Sequence, residues 1–569
     1  MALRILAAYG LAVVAFGTMA PPSTFDNDAA VRDRRPAVGL ETSSSEGDTF
    51  NWTGVNGHDW GDPGNWDLGR VPAAGDSVNI NPDASHIWVP SGVRLRRLQL
   101  SGGALDGGSI SVEETLLWTD GWVGFHNSTK LHLLARSTTV IAGEARKTIS
   151  SGPITNEGTV LMQGGEMWMP YGKEGFINEG TFEMQAEGKI TGQGRFTNDG
   201  TFRAAAPVHP GYTTVGPFVN RGTLEVAENV VLDLPGGRSS FGGGARLLGR
   251  GRLRVPAGSR LDLEGVVEMP SGTLELAGGH LAGRGTIRGG TWRWTSGAVG
   301  EGSGTITIAD ATAMIMTDSA AKTIRSGTIV NEGAVIMEGG ELSKPYANSR
   351  FINKGTFRLY GGARITGQGP FENDGTLTVV PAPSGSRAAS GGSSLLNRGT
   401  VEVLGGVLSG TDGYRQVSGT THLFDAAVLR WRTPVVIDGG TLAGNGRVDA
   451  RLVNNSVVAP GLLGGSSSSP GDLSAKEYEQ GPAGRLEIDI AAASRHDRLA
   501  VNGTARLQGS IRVNAIPPYQ PPTGARFSVI SYARLMAPRP RIVRAGESRW
   551  PTYSLDAEPN HAVLLVSDL

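Results

Sequence analysis

Three tryptophans near the N-terminus are the first residues of this sequence whose types suggest chemistry. Trp52, Trp60 and Trp66 belong to segment 50–93, where aspartates and asparagines stand between the aromatic residues. Tryptophan beside such polar groups can form a platform on which a sugar ring stacks. The acids could instead hold calcium, although their spacing does not match an EF-hand loop. We favour a third interpretation, an aromatic N-terminal cap that covers the first turn of the fold.

Three arginines form a second candidate binding surface. Arg250, Arg252 and Arg254 alternate along a predicted strand, so their side chains would point to one face. Such a face could contact an anionic glycan. A solvated strand face is the interpretation that we favour.

No catalytic, cofactor-binding or metal-ligating residue is predicted, and no cofactor is expected. The repeats described below place Glu157 and Glu179 at a position that Lys354 and Arg398 also occupy. A position whose charge changes sign does not indicate a catalytic acid. The nine histidines show no HExxH spacing, and neither a G-x-S-x-G turn nor a Walker-type phosphate loop occurs.

Composition narrows the class of protein. The chain has no cysteine, which excludes disulfides, thiolate metal sites and cysteine nucleophiles. Its formal net charge of −1 gives no electrostatic reason to expect nucleic acid as a partner. Glycine accounts for 85 of 569 residues, about twice the usual share, and interior glycine disfavours long helices. These features predict an all-β protein with many tight turns.

The N-terminus is typical of an exported protein. Residues 1–20 hold one arginine and then an apolar run, which predicts a secretory signal peptide. The alternative is an uncleaved membrane anchor, for which the run is short. Residues 21–49 are polar and serine-rich and predict a flexible leader. We therefore expect a secreted, extracellular or cell-surface location, with no membrane span after signal removal.

An internal repeat carries the strongest structural signal. The motif Asn-x-Gly-Thr/Ala-apolar occurs eight times, in two sets of four whose first three members are each 175 residues apart. Its Asn and Gly positions are Asn156 and Gly158, Asn178 and Gly180, Asn198 and Gly200, Asn220 and Gly222, Asn331 and Gly333, Asn353 and Gly355, Asn373 and Gly375, and Asn397 and Gly399. A tandem duplication is the simplest explanation.

One repeat, residues 178–198, shows how the chain would fold. Three short alternating segments are separated by glycines at 180, 188, 192 and 194, where we expect turns with positive φ. This pattern predicts one turn of a parallel β-helix. The motif asparagine falls in phase with the inward Phe196, so asparagines of successive turns would stack and hydrogen-bond to one another. We favour this structural role over an asparagine-lined binding site.

The repeats also predict the domain organisation. We expect a Trp-rich cap at 50–93, repeat blocks at 94–260 and 261–410, closing coils at 411–461, a Gly/Ser linker at 462–475 and a C-terminal β domain at 476–569. Residues 95–460 would form about 17 coils. The predicted fold is therefore an all-β parallel β-helix, or solenoid, with an N-terminal Trp-rich cap and a C-terminal β cap or small β-sandwich.

The chain resembles the passenger regions of bacterial autotransporters and adhesin-like β-helix surface proteins. The resemblance lies in the Trp-rich opening, the N-x-G-T coils and the ending, which includes Val457-Val-Ala-Pro460-Gly and His496-Asp497-Arg-Leu. It implies a right-handed β-helix exported to the cell surface or medium. Our hypothesis is a non-catalytic adhesive or structural protein whose partners are extracellular glycans or surface polymers. Because polysaccharide lyases and galacturonases share this fold, a polysaccharide-binding or polysaccharide-degrading enzyme is the alternative.

Overall fold

The computed structural model describes residues 47–567, except 82, 127, 186–187, 206–211, 318, 382–387, 393, 425, 462–468, 537–539 and 545–551. The predicted signal peptide, all but the last three residues of the leader and half of the linker lie outside the described residues. The described chain is a parallel β-helix of about 19 turns, as predicted. Its only helix is the short 3-10 helix Pro63–Asn65, so none of the described helices has the length and apolarity to cross a membrane.

The short strands follow from alternating side chains and frequent turns. In Thr181–Met184, for example, Phe182 and Met184 point into the core, while the two residues that alternate with them are half-exposed. This strand pairs in parallel with Thr159–Met162 of the preceding turn and Thr201–Ala204 of the following turn. The same pairing, repeated in every turn, builds three parallel sheets around one apolar core.

We name these sheets I, II and III. Sheet I contains Lys130–Leu133, Ile154–Asn156, Glu174–Asn178, Arg195–Asn198, Phe218–Asn220, Arg238–Phe241, Ala321–Ile324, Glu341–Ser343, Arg364–Thr366, Ala388–Gly391, Val407–Gly410, Val428–Trp431, Arg498–Val501 and Arg526–Ser531. Sheet II contains Thr49–Asn51, Ser77–Ile80, Thr138–Ile141, Thr159–Met162, Thr181–Met184, Thr201–Ala204, Thr223–Val226, Arg246–Leu248, Thr305–Ile308, Gly327–Asn331, Ser349–Asn353, Phe371–Asn373, Ser394–Asn397, Gly413–Gln416, Val435–Ile437, Thr504–Arg506 and Arg534–Met536.

Sheet III contains His86–Trp88, Lys147–Ile149, Glu166–Met169, Lys189–Gly192, Tyr212–Val215, Val231–Asp233, Arg252–Pro256, Ala313–Met316, Ala334–Met337, Thr356–Tyr360, Thr376–Val380, Thr400–Val403, Thr420–Leu423, Thr441–Gly444, Val457–Pro460, Arg485–Ala492, Ser510–Ala515 and Arg541–Arg544. Longer strands bend from one sheet into the next; they are Val93–Asp106, Ser109–Val123, Arg260–Glu268, Thr273–Arg288, Thr291–Val299, Arg447–Asn454 and Asp472–Gln480.

The coils continue into the C-terminal region. Arg485–Ala492 pairs in parallel with Val457–Pro460 before the linker and with Ser510–Ala515 after it. The short strand Arg495–His496 pairs back on it in antiparallel fashion. Two further antiparallel pairings close sheet I, since His561–Ser567 joins both Arg526–Ser531 and Thr552–Ala557. This end therefore has the character of a cap, which leaves fewer parallel edges open to another chain.

The predicted asparagine ladder is present on sheet I. Asn156, Asn178, Asn198 and Asn220 are fully buried and stack in register. Each amide Nδ2 donates to the Oδ1 of the next asparagine at 2.7 Å. The same Nδ2 groups also donate to backbone carbonyls, as Asn178 does to Thr201. The ladder thus satisfies buried amides that would otherwise destabilise the core.

The motif glycine serves a different purpose from the one predicted. None of the eight motif glycines has a positive φ, so the predicted left-handed turn is wrong for them; of the four glycines of repeat 178–198, only Gly192 has one. A Cβ on Gly180 would lie 2.2 Å from the carbonyl oxygen of Gly158, and one on Gly200 would lie 2.2 Å from that of Gly180. Glycine is required because turns of adjacent coils touch through their backbones.

The second ladder lies on a different sheet from the first. Asn331, Asn353, Asn373 and Asn397 repeat the same hydrogen bonds at 2.7–2.8 Å, but their strands belong to sheet II. The pairings of sheet I lead from the strand of Asn156 through eight turns to the strand Ala321–Ile324, and Asn331 lies on the strand that follows it along the chain. The duplicated unit therefore spans eight turns and about a third of another.

One buried lysine breaks the equivalence of the two copies. Lys344 is fully buried, while the position 175 residues earlier is the buried Met169. The Lys344 Nζ donates to the backbone carbonyl of Gly369. Burial lowers the pKa of Lys344 to about 7, so near neutral pH this side chain is easily deprotonated.

Loss of a middle rung should cost more than loss of the first rung. Asn198→Leu removes both the donor to the Asn220 Oδ1 and the acceptor of the Asn178 Nδ2, and we expect about 2–4 kcal/mol of local destabilisation. Asn156→Leu is the matched control, because it removes only the donor to the Asn178 Oδ1, and the Oδ1 of Asn156 has no partner among the described residues; it should cost about 1–2 kcal/mol. Native-state hydrogen exchange of the flanking amides measures both, and equal costs would contradict the ladder.

Lys344→Met should stabilise the protein, most strongly at low pH. The pKa of Lys344 is about 7 in the folded protein, whereas the ordinary pKa of lysine is 10.5. Between these two pH values the unfolded state binds the extra proton, so wild-type stability rises with pH there. At pH 6 we expect the variant to gain roughly 2–4 kcal/mol, with the gain shrinking toward pH 10.

Thermal unfolding at a series of pH values tests this expectation. The reciprocal change Met169→Lys is the matched control, since it places the same charge at the equivalent position of the first copy. It should destabilise the chain with the same pH dependence. A pH-independent effect of Lys344→Met would show that the lysine is solvated.

Candidate functional site

The tryptophans of the N-terminal segment form a buried cluster. Trp52, Trp60 and Trp66 are 5 %, 1 % and 2 % exposed. The ring of Trp66 meets those of Trp52 and Trp60 edge-on, with centroids 5.0 and 4.7 Å apart, and its Nε1 donates to the carbonyl of Trp60. Because the three rings are buried against one another, they do not form the exposed platform for a sugar considered above. The cap interpretation fits the structure.

The aspartates of this segment also have local partners. Asp62 accepts from the backbone N–H of Gly64 and starts the 3-10 helix. Asp76 accepts from Arg70 and from the backbone of Ala73. The carboxylates thus brace the loops of the cap, and they are not among the described groups that converge to hold a cation.

The three arginines proposed as a glycan contact do not share one strand. Arg250 lies in the turn before Arg252–Pro256 and is 79 % exposed, with Glu228 4.0 Å away. Arg252 lies 3.5 Å from Glu275 of the next coil. Arg254 binds Asp233 of the preceding coil through two hydrogen bonds of 2.6 Å. Arg252 and Arg254 therefore pair with acids of adjacent coils. This arrangement fits the interpretation of a solvated strand face.

Such pairing between coils recurs over the surface. Arg203 lies between Glu183 of the preceding coil and Glu225 of the following coil, at 3.3 and 2.9 Å. Glu372 similarly contacts Arg350 and Arg398. The two arginines lower the pKa of the Glu372 carboxyl against the opposing effect of burial, which is the largest single influence. Opposite charges thus follow one another where like charges would repel.

A groove with charged walls runs along sheet I. It consists of two depressions of about 270 and 580 Å³ that meet at Arg260. Small residues form much of the floor of the larger depression, namely Gly258, Gly278, Gly279, Gly297 and Ala298. We call this feature the sheet I groove. Its floor crosses several coils and leaves backbone accessible to an extended ligand.

The charges of the groove are partly neutralised from within. Arg260 binds both Asp262 and Glu301. Hydrogen bonding by Arg260 lowers the pKa of the Glu301 carboxyl, which is the opposite of what a general acid requires. Arg284 and Arg325, by contrast, have no carboxylate within ion-pair distance among the described residues. Among its described residues, the groove therefore presents two guanidinium groups that have no carboxylate as an ion-pair partner.

A separate cluster at the start of the β-helix combines two histidines with a buried carboxylate. His86 and Asp106 lie on sheet III, and His126 follows Ser109–Val123. One potential ligand atom from each residue lies within 4.8 Å of the others. Asp106 is fully buried and its two oxygens accept from the backbone N–H of His126 at 3.1 and 3.0 Å. We call these residues the His/Asp cluster.

The residues of the His/Asp cluster share no local motif in the sequence. Its members stand at intervals of 20 residues, which is close to one turn of the β-helix. Residues one turn apart are neighbours in a solenoid although they share no local motif. A search for metal-ligating residues at the coil period would have found them.

Tyr171 and Tyr346 occupy matching Pro-Tyr turns and are 59 % and 61 % exposed. Tyr171 follows the sheet III strand Glu166–Met169, whereas Tyr346 follows the sheet I strand Glu341–Ser343. Their different sheets reflect the extra third of a turn in the duplicated unit.

Comparison with known proteins adds no family to these observations. No protein-family model matches the chain, and no curated protein is similar enough to count as a match. The fold and the described side chains are therefore the basis for assigning a function.

Proposed function

We propose that this protein is a secreted or cell-surface β-helix with an adhesive or structural role and without catalysis. The observation that carries the proposal is the use of the exposed charges. Arginines and acids of successive coils pair with one another, as at Glu183, Arg203 and Glu225. These ion pairs help to hold neighbouring coils together. Such a use of the surface charges is what we expect of an architectural element in an extracellular matrix or envelope.

The sheet I groove is the surface that we assign to adhesion. The planar guanidinium groups of Arg284 and Arg325 can each donate two parallel hydrogen bonds to a carboxylate or sulfate group. The glycine-rich floor lets a linear polymer approach the backbone. An extracellular polysaccharide with regularly spaced anionic groups is the partner class that fits this arrangement.

The alternative function is a polysaccharide-degrading enzyme that uses the same groove. Asp262 and Glu264 lie beside arginines there, and lyases and glycosidases act through carboxylates with suitable partners. Asp262, however, is nearly buried beneath Arg238 and Arg260. The pairing of Asp262 with both arginines supports binding over bond cleavage.

Binding to a panel of acidic and neutral polysaccharides tests the proposal. We expect retention of acidic polymers without release of reducing or unsaturated ends. Arg325→Ala should weaken binding about tenfold, because one charge-assisted interaction is worth roughly 1.5–3 kcal/mol, and binding should weaken with added salt.

Arg288→Ala is the matched control, since Arg288 is exposed but already pairs with Glu268 at 2.9 Å. It should leave polysaccharide binding unchanged. Cleavage of any polymer in the panel would sink the non-catalytic proposal. Equal losses in the two arginine variants would show that binding is not located in the groove.

A further inference from the structure

We propose that His86, Asp106 and His126 form a binding site for one divalent transition-metal ion, with Zn²⁺ as the best-matched ion. This inference is independent of glycan binding, because the His/Asp cluster and the sheet I groove share no residue. It rests on the chemistry of the donors, on their separations and on an unpartnered nitrogen.

The donor set favours a transition metal over calcium or magnesium. Two imidazoles and one carboxylate are ligands that zinc accepts, with a solvent molecule completing a four-coordinate site. Calcium and magnesium require more oxygen ligands than this cluster offers. Imidazole also suits copper and nickel, so these ions should compete with zinc.

The separations fit ligands that close around one ion. Zinc–nitrogen and zinc–oxygen bonds of about 2.1 Å place neighbouring tetrahedral ligands about 3.4 Å apart. The Nδ1 of His126 lies 3.4 Å from the Oδ2 of Asp106, and all three donors lie within 4.8 Å. The His126 side chain is 59 % exposed, so it can move the remaining distance without disturbing the core.

His86 supplies an independent sign that a partner belongs here. Its Nδ1 is buried and makes no hydrogen bond to the described residues, although a buried ring nitrogen normally has a partner. Its ring stacks on that of His126, with centroids 4.9 Å apart and an interplanar angle of 29°. A metal at this position would turn two stacked imidazoles into ligands of one ion.

The surroundings hold the cluster in place. The backbone N–H of His126 donates to the carboxylate of Asp106, which orients the oxygens as outer-shell contacts do in metal sites. Phe125 packs against both histidine rings, at 4.6 and 4.4 Å between centroids. The bound ion would fasten the turn after Ser109–Val123 to sheet III, next to the N-terminal cap.

Zinc titration of the untagged, chelator-treated chain tests the proposal. Calorimetry should show one Zn²⁺ per chain, and thermal unfolding should move to higher temperature with saturating Zn²⁺, because the ion binds the folded state. Co²⁺ substitution should give the visible absorption of a four-coordinate nitrogen–oxygen site. Ca²⁺ and Mg²⁺ should produce neither effect.

His126→Ala is the decisive variant, since the exposed His126 side chain can be removed without opening the core. It should weaken Zn²⁺ binding by about 100-fold or more and abolish the thermal shift, with an unchanged circular dichroism spectrum. His58→Gln is the matched control, because His58 lies beside His86, with its Nδ1 2.9 Å from the His86 carbonyl, yet outside the cluster. Unchanged affinity in His126→Ala, or no stoichiometric binding by wild type, would overturn the site.

Discussion

Each side chain of this β-helix lies next to the residue at the equivalent position one turn away, so the two side chains must be able to pack or bond together. Parallel strands in register place equivalent residues about 4.8 Å apart, and three kinds of residue meet this constraint in different ways. Asparagine amides donate to and accept from one another. Phenyl rings stack, as Phe351 does on Phe371 at 5.3 Å and 1°. Charged groups alternate in sign at some positions, as at Glu183, Arg203 and Glu225.

The extra third of a turn in the duplicated unit changes what the two copies can do together. Within one copy, equivalent residues stack on one sheet and reinforce one another. Between the copies they are displaced to the neighbouring sheet, so the asparagine ladders do not form one continuous line. Tyr171 and Tyr346 are separated in the same way. The duplication therefore extends the stack while presenting equivalent surfaces on different sides.

The sequence predicts features that depend on residues a few positions apart. It does not predict features that depend on which residues meet between stacked turns of the β-helix. The motif from Asn178 to Asn198 indicates a coil and an inward asparagine because both follow from residues a few positions apart. The purpose of Gly180 was misjudged, because only the stacked backbone of Gly158 reveals the close approach. The meeting of His86 with Asp106 depends on how turns are stacked. The pairing of Arg254 with Asp233 has the same origin.

Departures from like-on-like stacking are therefore informative in this fold. A coil position that only supports the stack can be filled by the same residue in each turn, as the ladders show. The His/Asp cluster breaks this rule, since two histidines and an aspartate converge across neighbouring turns. There the broken rule brings together three ligands of complementary chemistry, which is why we place a metal ion at that cluster and none along the asparagine ladders, whose amide groups already satisfy one another.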